Sequence, residues 1–491
     1  MTSRREFLRS TAGTGVAAVA SMASVHSAAA AVTAAKPKTQ AASSYTQQLE
    51  AARVAAGVTG ASFAYWDGEQ LHTAASGLRN SVTGDPVTVD TVMFIGSVTK
   101  VLNTALMMQA VDDGKIALDD PAIKHVPELR LRDKQALQRI TCQMLVNHTN
   151  GIDGEWLPEF GPDRERIVDC IDRCADLGQV HAPGEAASYS NIGHVIAGYL
   201  SQRVFKDSWY TLMKARIFEP LGMTHSLVDP LDVPRFRVST GDITDYKTGK
   251  LVQSPKSFLA PSLSPAGATM MMTASDLVTF ARAMMNGGMG VGPNGKRILS
   301  EASAARMAQK TAAFVPMSSP TDIGLGWWLL PGGVLSHAGG GRGVHARLYA
   351  HPASGRAMAL LMNSPGAMQV VESFMDPIVA TWTGIKPQKR QPMSGPADPR
   401  PYIGVYENNL THVEVIAHEG GLGARFGAKI DGLQNVNKSA PPSKLIPMGD
   451  DLFEAAVIPG SPNLELKFVQ PGSDGRMRYA SAFMRLYPRT A

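Results

Sequence analysis

Ser97 and Lys100 stand three residues apart in FIGSVTK (94–100), where a short apolar run ends at Gly96 and a helical pattern begins. On a helix that spacing puts a hydroxyl and an amine on one face, within reach of each other. A serine hydroxyl is a poor nucleophile until a base takes its proton. A lysine can be that base when burial or neighbouring positive charge favours its neutral form. A helix start adds backbone N–H groups that can receive an oxyanion. The pair therefore reads as an activated nucleophile; the plainer reading is a capping serine beside a solvent-facing lysine. No other Ser-x-x-Lys occurs in the chain.

Two further stretches carry side chains suited to such a site. APGEAASYSNIGH (182–194) holds Tyr189-Ser190-Asn191, and GGVLSHAGGGRG (332–343) holds His337-Ala338-Gly339. Each pattern is weak alone. Tyr406-Glu407-Asn408 and His418-Glu419-Gly420 repeat both of them near the C-terminus. Order and spacing single out the first set: Ser97, then Tyr189, then His337 in a run of extended pattern.

Several elements must position these groups. GVTGASFAYWDGEQLHTAASG (57–77) predicts two strands joined around Asp67-Gly68. Val98, Val101, Leu102, Ala105, Met108 and Val111 recur at helical spacing, with Gly114 as a stop. Residues 120–230 read as helices and loops, including a helix over 190–205. Thr273 and Asp276 have capping spacing before LVTFARAMM. From 323 onward the pattern is strand, a Ser354-Gly355 turn, strand, then a closing helix in VVESFMDPIVATWT. KPQKRQPMSGPADPRP (386–401) reads as a linker, and short alternating runs follow it. The expected organisation is a signal peptide at 1–31, a linker at 32–45, a catalytic domain at 46–385, a linker at 386–400 and a small all-β domain at 401–491.

The chain of 491 residues is long enough for two domains, one with a substantial core. Its net charge of +5 is small, and no basic stripe is interleaved with aromatics, so nucleic acid is not an expected partner. RLRDKQALQR (130–139) and KPQKR (386–390) read as solvated surface. Ser3-Arg4-Arg5-Glu6-Phe7-Leu8, a moderately apolar Gly/Ala-rich run and Ala28-Ala29-Ala30 resemble a twin-arginine export signal. A periplasmic or secreted protein with no membrane span in the mature chain is expected. Cys142, Cys170 and Cys174 are an odd count and read as buried small side chains. No His/Cys cluster has zinc spacing and no His-Glu-x-x-His occurs, so neither a metal nor another cofactor is expected.

The three motifs in this order resemble the penicillin-recognising serine hydrolases, in particular the class C β-lactamase and D-alanyl-D-alanine carboxypeptidase branch. GKIALDDPAIKHVPEL (114–129), LVNHTNGI (145–152), PAGATMMMTASDLVTF (265–280) and IGLGWW (323–328) extend the likeness across roughly 46–385. The resemblance implies an α+β fold, a β-lactamase/transpeptidase-like sandwich of antiparallel sheet and helical domain, ahead of the small β unit. It implies that Ser97 forms an acyl-enzyme, that Lys100 takes or relays its proton, and that Tyr189 protonates the leaving group. Asn191 would bind the acyl amide, and the N–H groups of Ser97 and Gly340 the oxyanion, with Gly339 and Gly340 on the strand edge. His337 stands where many relatives carry lysine, and Arg342 is a candidate for the missing charge.

Three functions follow. One is a peptidase or amidase acting on peptides with D- or non-standard residues, similar to D,D-peptidases and D-aminopeptidases. Another is an esterase or acyltransferase of the same mechanism, with β-lactamase activity as a variant. The third is a silent sensor of such ligands. A small peptide or acyl substrate is the expected partner, and the sequence does not set the oligomeric state.

Overall fold

The protein is described from a computed structural model covering residues 39–154, 166–245, 248–292, 295–317, 321–385, 390–428, 441–456 and 463–490. The proposed export signal and the first part of the linker lie outside the described residues, as does most of KPQKR. A helix over Thr39–Ala55 takes in residues 39–45, which the sequence suggested were linker. The stretch is rich in alanine and glutamine, both good helix formers, and its Tyr45 and Leu49 pack against the main sheet.

A nine-stranded antiparallel sheet organises the chain ahead of the linker. Its order runs Asp85–Pro86, Leu71–Asn80, Gly60–Trp66, Arg356–Met362, Val344–His351, Val334–Gly341, Trp328–Leu330, Asp322–Ile323 and Ala312–Ala313. The early strand Gly60–Trp66 pairs with the late strand Arg356–Met362, Ala61 facing Met362 and Trp66 facing Ala357. This pairing closes the domain and brings the strand carrying His337 close to the helix carrying Ser97.

Both faces of the sheet are apolar because both are covered. Phe63 and Tyr65 point to the first helix and to the closing helices over 367–383, where Phe63 meets Phe374 edge-on at 4.7 Å. Ala346, Leu348 and Ala359 point the other way, into the helical middle of the chain. There the helix following Ser97, Thr99–Asp112, buried from Thr99 to Ala110, packs against the helix Asn191–Phe205. Thr273 caps Ala274–Met285 by accepting from the Asp276 amide at 3.1 Å. Cys142, Cys170 and Cys174 are buried free thiols.

Beyond the linker come a four-stranded and a five-stranded antiparallel sheet, spanning 404–488. They enclose a core of their own, with Tyr402, Tyr406, Val413, Phe453, Leu466, Phe468 and Tyr487. Leu486 and Tyr479 also pack against Val180 of the catalytic part, and residues 40–491 form one compact unit. The fold is thus a helix–sheet sandwich followed by small all-β sheets. Among the described residues no helix is long and apolar enough to cross a membrane.

Candidate active site

Ser97 sits in a short 3₁₀ turn, Gly96–Val98, that connects the buried strand Met93–Phe94 to the helix starting at Thr99. Its side chain does not cap that helix. Gly96 adopts φ +50°, and a Cβ there would lie 2.4 Å from the Gly340 amide nitrogen. Gly339 approaches from the strand: its Cβ would lie 1.9 Å from the Ile95 carbonyl oxygen and 2.8 Å from the Ser97 nitrogen. Gly267, with φ +115°, crowds the Gly96 carbonyl from a third side. Three glycines therefore let three segments converge on the serine.

Lys100 is fully buried. Its ammonium donates to Ser97 Oγ at 3.0 Å and to the Ala266 carbonyl at 2.6 Å. Lys100 Nζ also lies 4.9 Å from the centre of the Tyr189 ring. The Tyr189 and His337 rings are 6.4 Å apart, and His337 stacks on Trp328 at 4.4 Å. Ser97, Lys100, Tyr189 and His337 thus meet in one place. Asn191, half-buried, opens the helix Asn191–Phe205 behind the Ser190 cap. Gly339 and Gly340 lie in the stretch of Val334–Gly341 that the short neighbouring strand leaves uncovered, since pairing with Trp328–Leu330 ends at Ser336.

Arg342 occupies the following turn with φ +53°. Its carbonyl abuts Gly241, where a Cβ would come within 2.0 Å.

His337 is fully buried, and burial together with the Lys100 charge pulls its pKa down to about 3. It is neutral at pH 7. Two further histidines surround the tyrosine. His148 stacks on the Tyr189 ring at 4.5 Å, and His194 leans against His148 at 5.1 Å. Burial, then the charges of neighbouring groups including Lys100, holds both well below the usual histidine range. Neither ring nitrogen of His194 has a hydrogen-bond partner among the described residues.

The C-terminal sheets also reach this site. The turn between Met477–Ala482 and Arg485–Pro488 brings Met484 against the buried cluster of Ala187, Tyr189, Phe314, Ile323 and Trp328. The Tyr189 amide donates to the Met484 carbonyl at 2.9 Å. The Arg485 guanidinium lies over the Tyr189 ring at 4.6 Å. His148 was visible in LVNHTNGI as a likeness without a role; Met484 and Arg485 carried no sequence signal. Among the described residues no three His, Cys, Asp or Glu side chains converge as metal ligands would.

A buried lysine on a serine at a helix start, beside a tyrosine and an open strand edge, sits in the fold of the β-lactamase-like serine hydrolases. The family model described as Beta-lactamase matches residues 46–373, and the chain belongs to that family. Penicillin-binding protein 4 of Amycolatopsis lactamdurans is 33% identical over 376 residues, covering 74% of this chain and 97% of that protein. A crystal structure of SurE with D-Leu matches with a TM-score of 0.71 at 24% identity, over 92% of this chain and all of that one, and so shares the fold through the C-terminal sheets. A D-stereospecific amidohydrolase from Streptomyces sp. matches with a TM-score of 0.53 at 25% identity, over 70% of this chain and 99% of that one.

Proposed function

We propose that this protein is an exported serine amidase or peptidase that acts on peptides containing D- or non-standard residues through an acyl-enzyme on Ser97. The observation that carries the reading is the 3.0 Å contact between the buried Lys100 amine and Ser97 Oγ. In its neutral form Lys100 takes the hydroxyl proton as Ser97 Oγ bonds to the carbonyl carbon. The Ser97 and Gly340 amides receive the oxyanion. The C–N bond then breaks, and Tyr189 passes a proton to the departing amine. Water repeats the sequence on the ester and frees the serine. Asn191 binds the acyl amide, and the open edge at Gly339 and Gly340 lines up an extended substrate.

Neutral His337 supplies no fixed charge for a terminal carboxylate, which favours an amide-cleaving role over one that depends on such a grip. The D-stereospecific relative and the SurE structure with D-Leu support D-residues as the substrate class. Export is proposed from the twin-arginine-like segment, with cleavage near Ala28-Ala29-Ala30.

The test is intact-mass spectrometry after incubation with a fluorescent penicillin, a p-nitrophenyl ester and a D-alanyl peptide. A Ser97 adduct with turnover of the D-alanyl peptide is expected. Turnover of the ester alone makes the protein an esterase, and no adduct with any probe makes it a binder. Ser97→Ala is expected to abolish acylation with the melting temperature nearly unchanged. A large stability loss with activity retained shows that the serine only shapes the turn.

A further inference from the structure

Tyr189 rides on three consecutive residues whose backbone amides are held from two sides. The Ser188 amide donates to the His148 carbonyl at 3.0 Å, and the Ser190 amide donates to His148 Nδ1 at 3.1 Å. Between them the Tyr189 amide donates to Met484. One residue, His148, therefore holds both neighbours of the tyrosine, once by its backbone and once by its ring. The same ring lies against the phenol ring at 4.5 Å with an interplanar angle of 25°. Phe314 tilts against the imidazole at 5.6 Å and His194 at 5.1 Å, so the imidazole is itself fixed.

Two observations go beyond packing. His148 adopts φ +63°, a left-handed conformation that only a few per cent of non-glycine residues take. An acceptor role for Nδ1 also requires that nitrogen to carry no proton. A neutral ring with its proton on Nε2 meets that requirement, and burial, then the charge of Lys100, keeps the ring neutral.

We propose that His148 is the positioning residue of the Tyr189 phenol, holding it at the angle from which its hydroxyl gives a proton to the departing group. This rests on reading Ser97, Lys100 and Tyr189 as the acylating machinery. When Ser97 Oγ bonds to an ester carbonyl, the bond to the departing oxygen breaks and that oxygen takes a proton from Tyr189. The serine proton, taken by Lys100, restores the phenol. A departing nitrophenolate is stable and needs little help; a departing phenolate needs more.

The test is kcat/KM for substituted phenyl esters, from p-nitrophenyl to unsubstituted phenyl. His148→Ala is expected to cost the phenyl ester about 10-fold more than the p-nitrophenyl ester, so that dependence on the leaving group steepens. Tyr189→Phe is expected to give the same pattern, and the double variant to lose little more than either single one. His148→Asn, which tolerates a left-handed backbone and lacks the ring, guards against failure of the alanine variant to fold and is expected to show the same slope. A uniform loss across the esters, or losses that multiply in the double variant, overturns the proposal. The acylation reading fails separately, if Ser97→Ala still turns over the p-nitrophenyl ester.

Discussion

The Arg485 guanidinium, in the last strand of the chain, lies 4.6 Å from the centre of the Tyr189 ring. The turn that delivers it has two consecutive residues in left-handed conformations, Phe483 at φ +51° and Met484 at φ +64°. A two-residue hairpin of this geometry favours Asn-Gly. Replacing Phe483-Met484 by Asn-Gly keeps the backbone carbonyl that Tyr189 uses and relieves the turn, while deleting the Met484 side chain from the tyrosine cluster. The expected result is an unchanged or higher melting temperature with kcat/KM lowered about 10-fold, as for loss of about 1.4 kcal/mol of positioning. Activity that stays level with the wild type makes the hairpin a cover rather than part of the site.

Gly339 and Gly340 are adjacent, yet their Cβ positions face opposite ways. A Cβ at Gly339 collides with the Ile95 carbonyl and the Ser97 amide, whereas one at Gly340 meets nothing closer than the Val344 carbonyl oxygen at 3.4 Å. Gly339→Ala is expected to push the strand away from the serine and cost about 100-fold or more in acylation, the scale for losing an oxyanion donor. Gly340→Ala keeps its N–H and is expected to acylate within a few-fold of wild type. Stopped-flow acylation of both variants separates a backbone-placement role from general intolerance of side chains in this strand.

Much of this arrangement was legible in the chain. The strands around Asp67-Gly68, the Ser97 helix and the Thr273 cap follow from periodicity and local turn chemistry, which act over a few residues. Convergence of Ser97, Lys100, Tyr189 and His337 followed from motif order within a resemblance. The partners of Tyr189 did not, because nothing in ASAFMRLYP (480–488) is local to it: Met484 and Arg485 reach the phenol only after two sheets have formed. His148 lay in a quoted segment, but its left-handed backbone and its grip on Ser188 and Ser190 are tertiary. The neutral state of His337 likewise depends on complete burial beside Lys100, which no single-residue expectation contains.

That neutral state fixes the sign of His337's contribution to the pH dependence of stability. His337 titrates near 3 in the fold and near 6.5 when unfolded. Between those values the unfolded chain binds the extra proton, so stability rises with pH. The contribution is fully present above about pH 6.5 and is lost as pH falls towards 3, at about 1.4 kcal/mol per pH unit. His148 and His194 are displaced in the same direction and steepen the loss. Carboxylates also titrate below about pH 5, so only a difference between variants isolates one histidine. His337→Asn has no ring to protonate. Its urea-unfolding free energy is expected to fall less steeply than the wild type's from pH 6.5 to 4.5, the gap closing by about 1.4 kcal/mol per unit. A gap that stays constant over this range means that His337 takes up its proton in the folded protein as it does in the unfolded chain, and the amide-cleaving preference argued from its neutrality goes with it.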